Sequence, residues 1–287
     1  MSILRRLITN VTALTLITGI CILGTSCKKK EPVVEQLQVP AVTQTIGHTI
    51  DYEGKKYIYN EDLINILFLG IDTTDTLDKF SEPANAGQSD AIFILTLNKV
   101  TKEASILQIN RNAMTEIDIY NKSGQVIKSV DAQVTLQYAY GTGGSQSCWA
   151  SSNTISEMLY ELPIDGYFTM NISGINKIND ALGGVDIEMP CDYTEIDPSM
   201  ASGAVVHIEG NLAERFVRYR RMEFNSVKDR MERQVLYVTA LMDKLCDRNT
   251  SEIYNIISPY LDDVIITNLS VDELNSLGEY TYTGCKI

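Results

Sequence analysis

The chain has 287 residues, of which 44% are apolar and 21% charged, and its net charge is −13. This composition is that of a folded protein and excludes global disorder. The length suits one sizeable α/β domain with appendages. So acidic a chain is a poor nucleic-acid binder unless its basic residues are clustered, and we expect no nucleic-acid partner.

Residues 1–27 have the pattern of a targeting segment. A basic pair, Arg5 and Arg6, precedes a mostly apolar run from 7 to 24, and small residues lead to Cys27. Small residues directly before a cysteine favour a lipoprotein signal, with lipidation at Cys27. The alternative is an uncleaved membrane anchor, since the apolar run is about long enough to span a bilayer. Both interpretations predict localisation at the cell membrane, with the rest of the chain on its extracytoplasmic face.

A linker at 28–60 is predicted to precede a folded domain at 61–287, because the linker residues show no clear period. Short apolar runs at 66–70, 91–97 and 104–109 predict strands buried on both faces. Residues 117–130 are typical of a hairpin. The remaining predicted elements are strands at about 167–170 and 185–189 and helices at about 132–140, 151–162, 175–182, 212–219, 229–246 and 251–261. Strands interleaved with helices predict a three-layer α-β-α sandwich with a mixed central sheet.

Four cysteines lie outside the targeting segment, at Cys148, Cys191, Cys246 and Cys285. None forms a C-x-x-C pair, which argues against a zinc site. In an exported domain they could form disulfides in any of three connectivities, or remain isolated buried thiols, and the sequence does not choose between these alternatives.

Two aspartates stand at strand ends. Asp72 directly follows the first buried strand, and Asp90 directly precedes the second. Ligands of α/β proteins usually bind at strand ends, and Mg²⁺ commonly takes one or two carboxylates together with substrate phosphates and water. The sequence therefore indicates a Mg²⁺ site at Asp72 and Asp90, and the alternative is that each aspartate caps a turn or a helix.

Arginines form a second constellation, with Arg111 after the third strand and six more between positions 215 and 233. Like charges repel unless an anion joins them, and the planar fork of arginine matches phosphate oxygens. The alternative is a helix face engaged in ordinary surface salt bridges. Arginines and aspartates together indicate a pyrophosphate site of the phosphoryl-transfer type, in which catalysis rests on positioning and charge neutralisation.

Six segments of the chain, in order, resemble the motifs of the LytR–CpsA–Psr (LCP) family of cell-envelope glycopolymer transferases. They are Asn65–Asp72, Gln88–Ile92, Ile109–Asn112, Asp180–Val185, Phe216–Arg220 and Arg230–Gln234. The resemblance runs from about residue 63 to 245.

The resemblance implies an extracytoplasmic phosphotransferase that moves a glycopolymer from a polyprenyl-pyrophosphate carrier to peptidoglycan. It implies that Asp72 and Asp90 hold Mg²⁺, with an apolar tunnel for the lipid tail. The residues expected to bind the pyrophosphate are Arg111, Arg218, Arg220, Arg230, Arg233 and Gln234, and the first three are expected to be catalytic.

Three positions depart from the family pattern. Gln88 stands where an arginine is usual, and Asn112 where an aspartate is usual. Val227 stands where the family has an acidic residue that is a candidate general base. The rival hypothesis is therefore a non-catalytic polyprenyl-phosphate-binding or scaffold protein of envelope assembly. A discriminating feature is whether another carboxylate reaches the arginine cluster.

Overall fold

The computed structural model describes residues 49–220, 226–246, 248 and 250–286. All of them belong to one compact unit, residues 39–287. The predicted targeting segment 1–27, with Cys27, lies outside the described residues, as does most of the predicted linker. Within the described ranges, no helix combines the length and apolarity that crossing a membrane requires.

The described part of the chain alternates strands and helices. Its strands are β1 (Thr49–Tyr52), β2 (Lys55–Ile58), β3 (Leu63–Ile71), β4 (Ser89–Asn98), β5 (Glu103–Ile109), β6 (Met114–Tyr120), β7 (Val126–Gln133), β8 (Gly166–Asn171), β9 (Val185–Glu188), β10 (Val205–Ile208), β11 (Ile265–Thr267) and β12 (Thr281–Lys286). Its helices are α1 (Leu136–Tyr140), α2 (Gly144–Met158), α3 (Ile172–Ala181), α4 (Asn211–Arg218), α5 (Ser226–Cys246), α6 (Thr250–Ile257) and α7 (Val271–Ser276).

The central sheet has six strands in the order β11-β8-β3-β4-β5-β12. Strand β3 pairs parallel to β8 and β5 parallel to β12, whereas the other neighbours are antiparallel. The predicted mixed sheet is thus confirmed. Three hairpins, β1-β2, β6-β7 and β9-β10, form separate two-stranded sheets.

The two faces of β3 pack against different helices, because successive side chains of a strand point to opposite faces. Leu67, Leu69 and Ile71 are almost fully buried in a cluster with residues of α1 and α2. On the other face Phe68 packs, with Phe93, in a cluster that includes residues of α5. Each such buried side chain contributes roughly 1.5–3 kcal/mol of hydrophobic stabilisation. This arrangement confirms the predicted three-layer sandwich.

Several predicted boundaries were wrong. The helix predicted at 132–140 covers only Leu136–Tyr140, because β7 continues to Gln133. Helix α2 begins at Gly144 rather than at residue 151. The predicted linker contains the β1-β2 hairpin, whose turn places Glu53 and Gly54 at positive φ. A ring contact between Tyr52 and Tyr160, with centroids 5.8 Å apart, joins this hairpin to the residues after α2.

Candidate functional site

Asp72 and Asp90 lie at the same edge of the central sheet. Asp72 follows β3, Asp90 is the second residue of β4, and these strands are antiparallel neighbours with Ile71 paired to Ser89. The backbone N–H of Asp72 donates to the carbonyl of Gln88 at 2.8 Å. The structure therefore brings together the two carboxylates that the sequence indicated.

Three arginines from separate parts of the chain meet at Asp90. Arg111, which follows β5, contacts Oδ1 of Asp90 and donates to the side-chain oxygen of Gln88 at 2.8 Å. Arg220 and Arg230 approach Oδ2 of Asp90 at 3.4 and 3.1 Å. Gln88, which stands where an arginine is usual, thus offers Arg111 an amide oxygen as a hydrogen-bond acceptor. An arginine at this position would repel Arg111.

A fourth arginine holds Asp72. Arg218, the last residue of α4, donates to Oδ1 of Asp72 at 3.1 Å and to Oε1 of Glu214 at 2.6 Å. Glu214 lies one helical turn before Arg218, a spacing at which side chains of a helix are neighbours. Glu214 is therefore a carboxylate that reaches the arginine cluster. Glu214 was not among the residues predicted for the site, and its i,i+4 spacing to Arg218 was the available signal.

The cluster has more positive than negative charge. Burial, reinforced by repulsion from Arg220, lowers the pKa of Arg230 to about 10. Burial and repulsion from Arg230 likewise lower the pKa of Arg111. Both guanidiniums stay protonated at neutral pH. Nε of Arg111 is buried without a hydrogen-bond partner among the described residues. A crowded set of charged donors with a spare N–H is a site for an anion.

A largely apolar pocket opens beneath these charges. Its empty volume, which includes space open to solvent, is about 830 Å³. Its charged and amide lining is Asp72, Asp90, Asn171, Arg218, Arg220, Arg230 and Gln234. Its apolar and aromatic lining includes Phe68, Phe93, Met170, Ile172, Ile175, Val217, Tyr237, Val238 and Leu241.

Helix α5 supplies one wall of the pocket with a single stripe of residues. Arg230, Gln234, Tyr237, Val238 and Leu241 line the pocket, and spacings of three, four and seven place them on one helix face. Eleven residues of helix rise about 16 Å. The pocket therefore runs from a cationic end at Arg230 to an apolar end at Leu241.

The central sheet supplies the opposite wall of the pocket, and its residues near the arginines are small. Gly70 pairs with Ala91 across β3 and β4, and a Cβ added at Gly70 would stand 3.1 Å from the Cβ of Ala91. Further from the charged end, Phe68 and Phe93 pack edge to face, with ring centroids 6.3 Å apart. Small residues thus leave room beside the arginines, whereas aromatic rings line the deeper pocket.

Arg233 does not reach this pocket, although the sequence placed it with the pyrophosphate ligands. Its side chain is 0% exposed and pairs with Asp229 one turn earlier. It also donates to the backbone carbonyls of Phe216 and Tyr219, which belong to α4 and its end. Spacing alone put Arg230 and Arg233 on one helix face, but the two side chains diverge. In this structure Arg233 is a clip between α5 and α4.

Gln234 lies at the pocket, as the sequence indicated. Its side-chain oxygen accepts a hydrogen bond from the amide of Gln108 on β5 at 3.3 Å. Because that oxygen is engaged, the amide of Gln234 is the group that can donate to an anion.

The carboxylate pair fits Mg²⁺ only when a phosphate is bound as well. No group of three or more His, Cys, Asp or Glu residues that could hold a metal exists among the residues described. The partners of Asp72 and Asp90 in the structure are arginines. A phosphate that engaged these arginines would free carboxylate oxygens, and Mg²⁺ characteristically completes its shell with phosphate oxygens and water.

Known proteins share both the sequence pattern and the fold. Residues 9–285 match the LytR_cpsA_psr family. The polyisoprenyl-teichoic acid–peptidoglycan teichoic acid transferase TagU of Enterococcus faecalis is 24% identical over 218 residues, which are 76% of this chain and 65% of that protein. TagV of Bacillus subtilis is 24% identical over 73% of this chain and 50% of its own length. The chain thus spans about half to two thirds of the length of these two relatives.

Solved structures agree with this assignment at the level of the fold. The crystal structure of B. subtilis TagV superposes with a TM-score of 0.58 at 23% identity, covering 77% of this chain and 80% of that one. A structure of TagT bound to LIIa-WTA gives a TM-score of 0.56 at 19% identity, covering 86% of each chain. With the family pattern matched over nearly its whole length, the chain belongs to the LytR_cpsA_psr family.

Proposed function

We propose that this protein is an extracytoplasmic phosphotransferase, held at the cell membrane by its N-terminus, that moves a glycopolymer from a polyprenyl-pyrophosphate carrier to peptidoglycan. The observation that carries the proposal is that a cluster of arginines lies at one end of a largely apolar pocket. A ligand with a diphosphate head and a hydrocarbon tail would place its head among the arginines and its tail in the apolar part of the pocket. The names of the relatives, teichoic acid transferases, supply the glycopolymer and the acceptor.

In the proposed reaction, a hydroxyl oxygen of the acceptor forms a bond to the phosphorus that carries the glycan. The bond from that phosphorus to the bridging oxygen breaks, and polyprenyl monophosphate leaves. Arg111, Arg220 and Arg230 converge on Asp90, and Arg218 approaches from α4. When these guanidiniums bind the diphosphate instead of the carboxylates, they neutralise the charge that develops on its oxygens. Charge neutralisation of this kind is the main catalytic requirement of phosphoryl transfer.

Magnesium is part of the proposal. Asp72 and Asp90 would hold it, and when bound it would neutralise phosphate charge and help to orient the leaving group. The arginines would then contact the diphosphate directly, and the carboxylates would act on it only through Mg²⁺.

The proton of the acceptor hydroxyl needs a destination. Val227 cannot accept it, and Asp229 is paired with Arg233. Besides Asp72 and Asp90, Glu214 is a carboxylate that contacts an arginine of the site, because it lies 2.6 Å from Arg218. We propose that Glu214 positions Arg218, and that the proton leaves through a carboxylate of this network or through solvent.

The second candidate function is a binding or scaffold role without turnover, and Val227 is the observation that favours it. A carrier lipid would bind in the same pocket with the same arginines. The two functions differ only in whether the diphosphate bond is cleaved, so one assay separates them.

That assay measures phosphate release from geranylgeranyl diphosphate, with and without Mg²⁺, by the full chain and by Arg218→Ala. Arg215→Ala is a matched control, because Arg215 lies on the same helix but pairs with Asp197, away from the pocket. Transferase chemistry predicts Mg²⁺-dependent release that falls about 100-fold or more in Arg218→Ala, as when a charge-stabilising donor is removed, and that persists in the control. Lipid binding without release would establish the scaffold role, and absence of both would refute the proposal.

A further inference from the structure

A buried pair of hydroxyl residues, Ser89 and Thr135, lies behind the arginine cluster. Ser89 is the first residue of β4 and stands directly before Asp90, whereas Thr135 lies between β7 and α1. Ser89 is 1% exposed and Thr135 is 0% exposed. A buried hydroxyl group costs free energy unless it is hydrogen-bonded, so the partners of these two groups indicate what they do.

The two residues bond to each other in both directions. The hydroxyl of Thr135 donates to the carbonyl of Ser89 at 3.0 Å, and the hydroxyl of Ser89 donates to the carbonyl of Thr135 at 3.2 Å. The backbone N–H of Ser89 donates to that same carbonyl at 3.1 Å. We call these three hydrogen bonds the hydroxyl clasp. Because the clasp is shielded from water, its bonds are electrostatically stronger than they would be at the surface.

The hydroxyl of Thr135 is not used to cap its own helix. Thr135 occupies the N-cap position of α1, where a threonine hydroxyl ordinarily accepts a hydrogen bond from a backbone N–H of the first helical turn. Its side chain makes no such capping bond, and its hydroxyl donates to β4 instead. The contact with β4 therefore takes the place of helix capping.

Ser89 lies between two residues that hold Arg111. The guanidinium of Arg111 donates to the side-chain oxygen of Gln88 at 2.8 Å and pairs with Asp90. Successive side chains of an extended chain point to opposite faces, so the side chain of Ser89 points away from Arg111 and toward Thr135. The clasp thus fixes the backbone of Gln88 and Asp90 from behind.

The same threonine also holds the backbone of Arg111. The N–H of Thr135 donates to the carbonyl of Arg111 at 3.2 Å, and the N–H of Val134 donates to the carbonyl of Ala113 at 2.8 Å. Thr135 therefore contacts the segment that carries Arg111 and, through the clasp, the segment that carries Asp90. One residue sets the separation of the two members of this ion pair.

We propose that Thr135 is a positioning residue, whose hydroxyl holds Asp90 and Arg111 at the separation that a bound diphosphate requires. The proposal rests on the proposed function for the identity of the ligand. Thr135 acts through these two residues, since neither it nor Ser89 lines the pocket. A misplacement of about 1 Å can cost about 100-fold in rate, so loss of this hydroxyl should lower turnover more than affinity.

The test compares Thr135→Val, in which a methyl group replaces the hydroxyl, with Thr135→Ser, which keeps the hydroxyl. With geranylgeranyl diphosphate and Mg²⁺, Thr135→Val should lower kcat about tenfold or more and raise KM no more than about fivefold. Thr135→Ser should stay within about threefold of the wild-type kcat, because the clasp persists. All proteins are assayed well below their melting temperatures, so that a loss of stability alone does not change kcat.

Thr154→Val is the matched control. Thr154 is also a buried threonine, and its hydroxyl donates to the side-chain oxygen of Gln137 on the same helix α1 at 2.9 Å. The change of a hydroxyl to a methyl group is therefore identical, but it is made away from Asp90 and Arg111. Thr154→Val should leave kcat and KM unchanged.

Calorimetric titration with inorganic pyrophosphate and Mg²⁺ keeps this proposal distinct from the transferase. Thr135→Val should bind pyrophosphate about fivefold more weakly than wild type, whereas Thr135→Ser and Thr154→Val should match it. If Thr135→Val does not fold, Ser89→Ala removes the other hydroxyl of the clasp but keeps its backbone hydrogen bond, and it should show the same losses in smaller measure.

Two results would overturn the positioning role. One is wild-type turnover and pyrophosphate affinity in Thr135→Val, or in Ser89→Ala where Thr135→Val does not fold. The other is an equal loss in Thr154→Val. If the wild type cleaves no donor but the expected differences in pyrophosphate affinity are found, the positioning role stands and the transferase fails.

Discussion

Replacement of Arg233 by methionine should destabilise the domain without weakening ligand binding directly. The guanidinium is fully buried, pairs with Asp229 and donates to two backbone carbonyls, those of Phe216 and Tyr219. Methionine keeps much of the side-chain length but leaves a largely buried carboxylate and these carbonyls without a donor. Removing one partner of a buried pair costs about 3–5 kcal/mol, and each kcal/mol lowers the Tm of a domain of this size by about 2–4 °C. The expected loss is therefore about 6–20 °C.

Differential scanning calorimetry measures this loss, with Arg215→Met as a control in which a half-exposed arginine of α4 is changed in the same way. The double variant Asp229→Asn with Arg233→Met should recover part of the loss, because the orphaned charge is then neutral. A melting temperature within about 2 °C of wild type for Arg233→Met, with diphosphate affinity lost, would refute the clip. It would restore Arg233 to the ligand set that the sequence indicated.

Three further predictions test the site and its surroundings. Arg230→Met removes a guanidinium whose pKa is lowered by burial and by repulsion from Arg220. Arg111 and Arg220 still pair with Asp90, so calorimetry should show unchanged or higher stability of the free protein. The stabilisation by farnesyl diphosphate, about 2.7 kcal/mol at a hundredfold excess over Kd, should vanish, and a persisting stabilisation contradicts the site. Burial raises the pKa of the Cys148 thiol to about 12, so native titration with a thiol reagent at pH 8 should count equal thiols in wild type and Cys148→Ala. Gly143→Ala should lower thermal stability, because its Cβ would meet the carbonyl of Lys79 at positive φ; an unchanged melt would show that the loop yields without cost.

The central strands of the fold could be predicted from the sequence because continuous apolar runs have few alternatives. The runs at 66–70, 91–97 and 104–109 all proved to be neighbouring strands of the central sheet. Helix α2 was located too late along the chain because its first turns lack an apolar period. Ser147 is buried in these turns, and its hydroxyl oxygen accepts a hydrogen bond from the N–H of Gly143 at 2.9 Å. Polar side chains that satisfy themselves within a helix leave no periodic signal.

The sequence could indicate that residues at strand ends lie close together, whereas it carried less information about residues on helices, and the roles of all these residues stay predictions. Asp72, Asp90 and Arg111 are placed by strand ends, and strand ends converge at one edge of a sheet. Arg230 lines the pocket, whereas Arg233 contacts α4. The packing of α5 against α4 decides this difference, and the spacing of the two arginines in the sequence does not reveal it. Strand β12 was not predicted, because its sequence, Thr281–Lys286, has no continuous apolar run. Its strand conformation depends on its parallel pairing with β5.

The polarity of β3 would give a substrate of the proposed kind a direction in the pocket. The strand begins at Leu63, shortly after the hairpin at residues 49–58, and ends eight residues later at Ile71, beside the arginine cluster, about 26 Å away. Under the proposed function, a lipid tail that leaves the diphosphate at Asp72 and passes Phe68 would run back along β3 toward Leu63. The glycan would then leave at the opposite end of the strand, beside the arginine cluster.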